Sequence, residues 1–148
     1  MEFIVFLVIV VVVIYFIMRS VGKKRDEEAA EKMERWKAER IATVKEEFDG
    51  ALSSPYYGSN EAPQHVRQIK GLLDDAVEEM VYWEAYVIQF PGFSFSRKNE
   101  DTWTEAVQML GAIYYEVISE PEGWEALLER AKGISSNANS NIKRLGQV

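Results

Sequence analysis

The fold is decided by residues 63–90, which read PQHVRQIKGLLDDAVEEMVYWEAYVIQF. Apolar residues recur in this stretch at alternating spacings of three and four, which places them along one side of a helix. The positions on that side are Val66, Ile69, Leu73, Ala76, Met80, Trp83, Val87 and Phe90. The pattern predicts a central helix that packs against other helices and ends before Pro91 and Gly92.

Weaker helical signals lie on both sides of this stretch. Residues 23–52 are rich in Glu, Lys, Arg and Ala, which favour a long stalk helix. The apolar stripe of this stalk is Ala29, Met33, Trp36, Val44 and Phe48, and Arg40 interrupts it. The turn-forming residues of segment 53–63, SSPYYGSNEAP, separate the stalk from the central helix.

Two shorter helices are predicted after the central one. Thr102 and Glu105 form a capping-box pattern that predicts the start of a third helix. The residues predicted on its packing face are Trp103, Ala106, Val107, Leu110, Tyr114, Val117 and Ile118. Trp124 begins a fourth helix, which Gly133 is expected to end. The sequence therefore predicts an all-α domain of about four helices over residues 23–133, followed by a disordered polar tail over 134–148.

An apolar run near the N-terminus predicts a membrane anchor within residues 1–22. Residues 3–18, FIVFLVIVVVVIYFIM, carry no charge, and a helix of about 20 residues spans a bilayer. The cations Arg19, Lys23, Lys24 and Arg25 follow the run, whereas a signal peptide carries its cations before it. They predict a single-pass helix with the N-terminus outside and the C-terminal domain cytoplasmic.

Composition excludes several classes of chemistry and predicts no enzyme. The 148 residues include no cysteine, which excludes disulfides, thiol-ligated zinc and iron–sulfur clusters. The single histidine, His65, is expected to be exposed in the first turn of its helix. From Asp26 onward there are 23 acidic and 13 basic residues, which argues against a nucleic-acid partner. We predict no cofactor and no metal site.

The acidic residues Asp74, Asp75, Glu78 and Glu79 are candidates for a docking face. They flank the apolar seam, and no Glu-x-x-His pair of the type that holds a di-iron centre is present. They are interpreted either as a solvated acidic face or as a surface for a basic partner.

Segment 91–98, PGFSFSRK, is the second candidate interface, together with aromatic residues of the preceding helix. The candidate residues are Phe93, Phe95, Arg97, Lys98, Tyr82 and Tyr86. Tyr82 and Tyr86 are interpreted either as part of the core or as part of a groove for a partner. Three alternatives are open: the phenylalanines enter the membrane interface, they contact a neighbouring membrane subunit, or they pack into the end of the domain's own bundle.

These features favour a single-pass accessory or scaffold subunit that contacts other proteins in a larger membrane assembly. The alternative is a membrane-associated structural protein, viral or from a cell envelope, that forms homo-oligomers through its heptad seam or stalk. An enzyme that uses carboxylates alone is the least favoured interpretation. The expected partners are the lipid bilayer and one or more proteins.

Overall fold

The computed structural model describes the backbone of residues 2–52, 63–119 and 122–145, and the side chains of 12–49, 63–119 and 122–142. Its four α-helices are α1 (Glu2–Leu52), α2 (Gln64–Gln89), α3 (Ser94–Ser119) and α4 (Trp124–Leu145). Within the described ranges no residue lies in a strand, so the predicted all-α class is confirmed. The predicted turn at 53–63 lies outside the described residues, except for Pro63.

The chain divides into two compact units, Met1–Trp36 and Lys37–Val148. The first unit is a single helical segment, and the apolar side chains from Val12 to Met18 are all exposed on it. Across the described part of the chain, no helix combines the length and the apolar character that crossing a membrane requires.

The second unit is a helical bundle in which α2 and α3 pack side by side and α4 packs against both. A turn at residues 90–93 joins α2 to α3. The last part of α1 runs antiparallel to α2, because Arg40, Lys45 and Asp49 of α1 pair with Glu84, Glu78 and Lys70 of α2 in reverse order.

The core of this unit lies on the predicted seam of α2 only in its first half. Val66, Ile69, Leu73 and Ala76 are fully buried, and Met80 is nearly so. In the second half of α2 the buried face shifts to Val77, Val81 and Ala85. Trp83 and Val87 on the predicted seam are only half-buried, and Phe90 is exposed. A straight helix of 3.6 residues per turn drifts about 20° per heptad from a strict 3.5-residue seam, which explains the change of face.

The predicted face of α3 is confirmed, but its predicted start is wrong. All seven predicted positions are buried: Trp103, Ala106, Val107, Leu110, Tyr114, Val117 and Ile118. The helix begins at Ser94, and Thr102 lies inside it with its Oγ1 donating to the Lys98 carbonyl. The first turns of α3 were missed because the inward positions there, Ser96 and Asn99, are polar.

The fourth helix is longer than predicted, because α4 continues past Gly133 to Leu145. Residues 134–145 are therefore helical, where the sequence predicted disorder. Leu127, Ala131 and Ala138 are buried and Ile134 is half-buried, at spacings of four, three and four. The helical spacing of inward residues therefore continues beyond Gly133, but one of these residues is the small Ala138 and its neighbours are polar Ser and Asn. A search for large apolar residues does not detect such a helix.

Candidate functional site

Six aromatic residues form a continuous cluster at the end of the bundle where α2 turns into α3. We call this cluster the aromatic tip; it consists of Tyr82, Trp83, Tyr86, Phe90, Phe93 and Phe95. Ring centroids are 4.8 Å apart for Tyr86 and Phe90 and 5.6 Å apart for Phe93 and Phe95. Trp83 lies 6.4 Å from Phe95, so the tip joins the last turns of α2 to the first turn of α3.

Much of the aromatic tip is open to solvent. Phe93 is 52% exposed and Phe90 44%, and the adjacent Ile88 is 55% exposed. The twelve residues from Ala85 to Ser96 carry no charge at all. An apolar and uncharged patch of this kind on a folded domain is typical of a surface that contacts another molecule or a membrane.

Four of the residues that the sequence analysis named as a candidate interface lie in the aromatic tip. Tyr86, Phe93 and Phe95 are brought into ring contact, and Tyr82 joins them through Trp83. Phe93 is half exposed although its ring contacts Phe90 and Phe95, so the end of the bundle covers it only in part. All three alternatives for this segment stay predictions: a lipid neighbour, a protein neighbour and the domain's own bundle.

Two exposed cations, Arg97 and Lys98, follow the aromatic tip on α3. Glu100 follows these cations in the sequence, and partial burial raises the pKa of its carboxyl group. The neighbouring carboxylates of Glu84 and Asp101 raise that pKa further, while the positive charge of Arg97 acts in the opposite direction. Along α3 the two cations follow the uncharged stretch and precede the acidic pair Glu100 and Asp101.

The four acidic residues predicted to form one docking face are divided between two surroundings. Asp74 accepts a hydrogen bond from the Lys70 ammonium at 2.6 Å, and Asp49 of α1 lies 2.9 Å from the same nitrogen. Burial alone would lower the pKa of Lys70, but the hydrogen bonds and charges of Asp74 and Asp49 outweigh it and raise the pKa. Asp74 therefore belongs to an ion-pair cluster that holds α1 against α2.

The other three acidic residues line an open cleft of about 290 Å³ beside α4. We call it the acidic cleft; its lining residues are Asp75, Glu78, Glu79, Trp103, Ser135 and Asn139. Glu78 also accepts a hydrogen bond from Lys45 at 2.7 Å. Among the described side chains, no group of three acidic or histidine residues is arranged to hold a metal ion.

His65 is placed differently from the prediction. It is half-buried and stacks on Trp124, with ring centroids 4.6 Å apart, so the expectation of an exposed histidine is wrong. Its Nε2 is buried and has no hydrogen-bond partner within the described part of the chain. The contact joins the beginning of α2 to the beginning of α4. The spacing of residues within either helix does not predict that these two helix ends lie close together.

The residues predicted to orient the chain in a membrane lie on the exposed surface of the first unit. Arg19, Lys23, Lys24 and Arg25 are all exposed, and Lys23 lies 3.7 Å from Glu27 on the next turn. Before them, the apolar side chains from Val12 to Met18 are between 46% and 70% exposed.

No family model, curated protein or solved structure matches this chain.

Proposed function

We propose that the chain is a single-pass membrane-anchored accessory or scaffold subunit, whose helical domain makes protein–protein contacts within a larger membrane assembly. The observation that carries this proposal is the exposure of seven consecutive large apolar residues, from Val12 to Met18. Seven residues make almost two turns of helix and therefore face every direction around its axis. Such a surface is stable when lipid or protein covers all of it.

The sequence favours lipid as the surroundings of these exposed apolar residues. The uncharged run begins at residue 3, and α1 is helical from Glu2, so its backbone groups bond within the helix as a bilayer requires. Arg19 and the cluster Lys23, Lys24 and Arg25 would remain at the cytoplasmic surface, because positively charged flanks are retained on that side. The helical domain would then be cytoplasmic.

The acidic cleft is the proposed contact surface for a basic segment of a neighbouring subunit. Its carboxylates come from one helix, α2, and Ser135 and Asn139 of α4 supply neutral hydrogen-bonding groups on the other side. Complementary charge would guide such a segment to the cleft and fix its register. The role proposed here is recognition, without catalysis.

Extraction of native membranes with alkaline carbonate tests the anchor. We expect the full chain to remain with the membranes and the variant Val12→Lys/Val13→Lys to be released, because each Lys within a span costs about 3 kcal/mol. The control Ala29→Lys/Ala30→Lys adds the same charge after the basic cluster and should remain. Release of the unmodified chain would contradict the proposal.

A single introduced cysteine tests the orientation, since the chain has none of its own. Gly133→Cys adds a thiol at an exposed position of α4 where a Cβ meets no atom within 4 Å. We expect a membrane-impermeant maleimide to label it in inverted vesicles and not in right-side-out ones. The opposite pattern would place the domain outside.

Crosslinking in native membranes followed by mass spectrometry tests the acidic cleft. We expect crosslinks from α2 and α4 to a basic segment of another subunit, weakened by salt and by Asp75→Asn/Glu79→Gln. The control Glu122→Gln/Glu125→Gln removes one charge just before α4 and one in its first turn, and it should leave the crosslinks unchanged. Equal crosslinking in both variants would contradict this contact surface.

A further inference from the structure

We propose that the aromatic tip, together with Arg97 and Lys98, is a second membrane contact that inserts between the anionic headgroups of a lipid bilayer. The inference rests on the membrane attachment proposed above, and it assigns a lipid surface to one particular end of the helical domain.

The apolar character of the aromatic tip suits the boundary between headgroups and acyl chains. Phe90, Phe93 and the adjacent Ile88 expose large apolar side chains, and the uncharged stretch around them is twelve residues long. Tyr82, also half exposed, carries a hydroxyl group on an apolar ring. Aromatic rings of this kind are enriched where proteins meet the membrane interface.

Three backbone N–H groups in and beside the turn already have hydrogen-bond partners. Phe90 donates its N–H to the Tyr86 carbonyl at 2.8 Å, Phe93 donates to Phe90 at 3.3 Å, and Ser96 donates to Phe93 at 3.2 Å. Pro91 has no N–H to satisfy. Backbone donors that already have partners lower the cost of moving this turn out of water.

Two exposed cations beside the aromatic tip favour an anionic membrane surface. The chain from Asp26 onward carries a net charge of −10, so an anionic surface would repel most of the domain. Arg97 and Lys98 are exposed beside the aromatic tip, where they offset that repulsion locally. Each cation near an anionic bilayer strengthens binding about fivefold. Apolar rings followed at once by cations are the combination that interfacial lipid contacts use.

A fluorescent label at position 92 tests the inference on the full chain reconstituted into phosphatidylcholine vesicles with or without phosphatidylserine. Gly92→Cys retains all six rings, because a Cβ there meets no atom within 4 Å, and the chain offers no other thiol. We expect an environment-sensitive nitrobenzoxadiazole label on the introduced thiol to be quenched by brominated lipids when phosphatidylserine is present. The same label on Gly133→Cys is the matched control and should not be quenched.

Two sets of substitutions separate the apolar contribution from the charged one. Phe93→Ser/Phe95→Ser should abolish quenching, with circular dichroism verifying that the bundle is intact. Arg97→Gln/Lys98→Gln changes exposed residues and should lower the ratio of docked to undocked tip about 25-fold. Equal quenching with and without phosphatidylserine, or no effect of the Arg97 and Lys98 substitutions, would overturn the anionic-lipid assignment.

Two further results distinguish this inference from the proposed anchor. A chain that resists carbonate extraction but shows no quenching at position 92 would overturn the lipid contact and leave the anchor standing. A chain that carbonate releases but that is quenched at position 92 would overturn the anchor alone. Crosslinking of position 92 to another protein in native membranes, without quenching, would overturn the lipid contact and assign the aromatic tip to a protein neighbour.

Discussion

Gly111 lets the ring of Phe48 approach α3 more closely than any other residue would allow. A Cβ at position 111 would lie 2.8 Å from Cε1 of Phe48 and 3.1 Å from Cζ. Phe48 also makes an edge contact with Tyr114 at a centroid distance of 6.5 Å. The end of α1 therefore rests on a site that only glycine can form without displacement of the ring.

We predict that Gly111→Ala lowers the free energy of unfolding by about 1–2 kcal/mol, since the cost of overpacking exceeds the gain in helix propensity. In a Phe48→Leu background, where the ring is absent, the same substitution should be neutral or stabilising. Urea denaturation followed by circular dichroism measures both differences.

Gly133→Ala is the control for this pair, because its Cβ meets no atom within 4 Å and position 133 lies within α4. It should stabilise the domain by about 0.5–1 kcal/mol. A stabilisation of similar size at Gly111 in the unmodified background would show that the Phe48 ring is not confined there.

Glu100 makes stability depend on pH. Burial and the charges of Glu84 and Asp101 raise its pKa in the folded domain, so ionisation of Glu100 disfavours the folded state. The penalty is complete above the folded pKa, diminishes as the pH falls through it, and disappears below the unfolded pKa of about 4.3.

We therefore predict that Glu100→Gln raises the free energy of unfolding at pH 7 and that this gain vanishes near pH 4. Urea denaturation across that pH range measures the difference. Glu105→Gln, a matched charge change at an exposed position of α3, serves as the control. A gain from Glu100→Gln that is constant with pH would argue against the electrostatic explanation.

At the scale of helices, the sequence predicted faces better than ends. The inward residues of α3 and the first half of α2 follow from apolar spacing alone, because burial of large apolar side chains dominates packing. The ends were missed where inward positions are small or polar, as with Ser96 in α3 and Ala138 in α4. At these positions the helix is stabilised by packing against other helices. The hydrophobicity of the residues themselves therefore gives little information about where the helix ends.

For the candidate surfaces, the sequence predicted contacts between neighbouring residues better than contacts between distant ones. Residues close in the sequence, such as Phe93 and Phe95, could be assigned to one patch because they share a turn. The separation of Asp74 from Asp75 could not, since it depends on Lys70 and on Asp49 of α1. The stacking of His65 on Trp124 likewise joins residues 59 positions apart.

The extension of α4 leads to a prediction for the helix as a whole. Deleting residues 134–148 removes buried Ala138 and half-buried Ile134 and exposes the apolar surface that they cover. We predict a loss of about 1–2 kcal/mol in the free energy of unfolding, measured by urea denaturation. Deletion of 146–148 alone leaves α4 intact and should cost little, whereas equal effects of the two deletions would contradict the packing role of residues 134–145.

At the scale of the molecule, charge and apolar surface are segregated along the chain. The exposed apolar residues of the first unit precede a basic cluster, and the helical domain beyond it is acidic overall, with Arg97 and Lys98 beside the aromatic tip. This distribution supports the proposal of a domain that is held at a surface and makes contacts through separate patches.

The short connection between α2 and α3 also influences the order in which parts of the domain fold. Closing a four-residue turn costs little chain entropy, whereas the contact between Phe48 and Gly111 must close a loop of more than 60 residues. The α2–α3 hairpin should therefore form in the folding transition state, and the contact of Phe48 with α3 should form afterwards. Substitutions at Leu73 and Leu110 should mainly slow folding, and Phe48→Leu should mainly speed unfolding, as stopped-flow kinetics would measure.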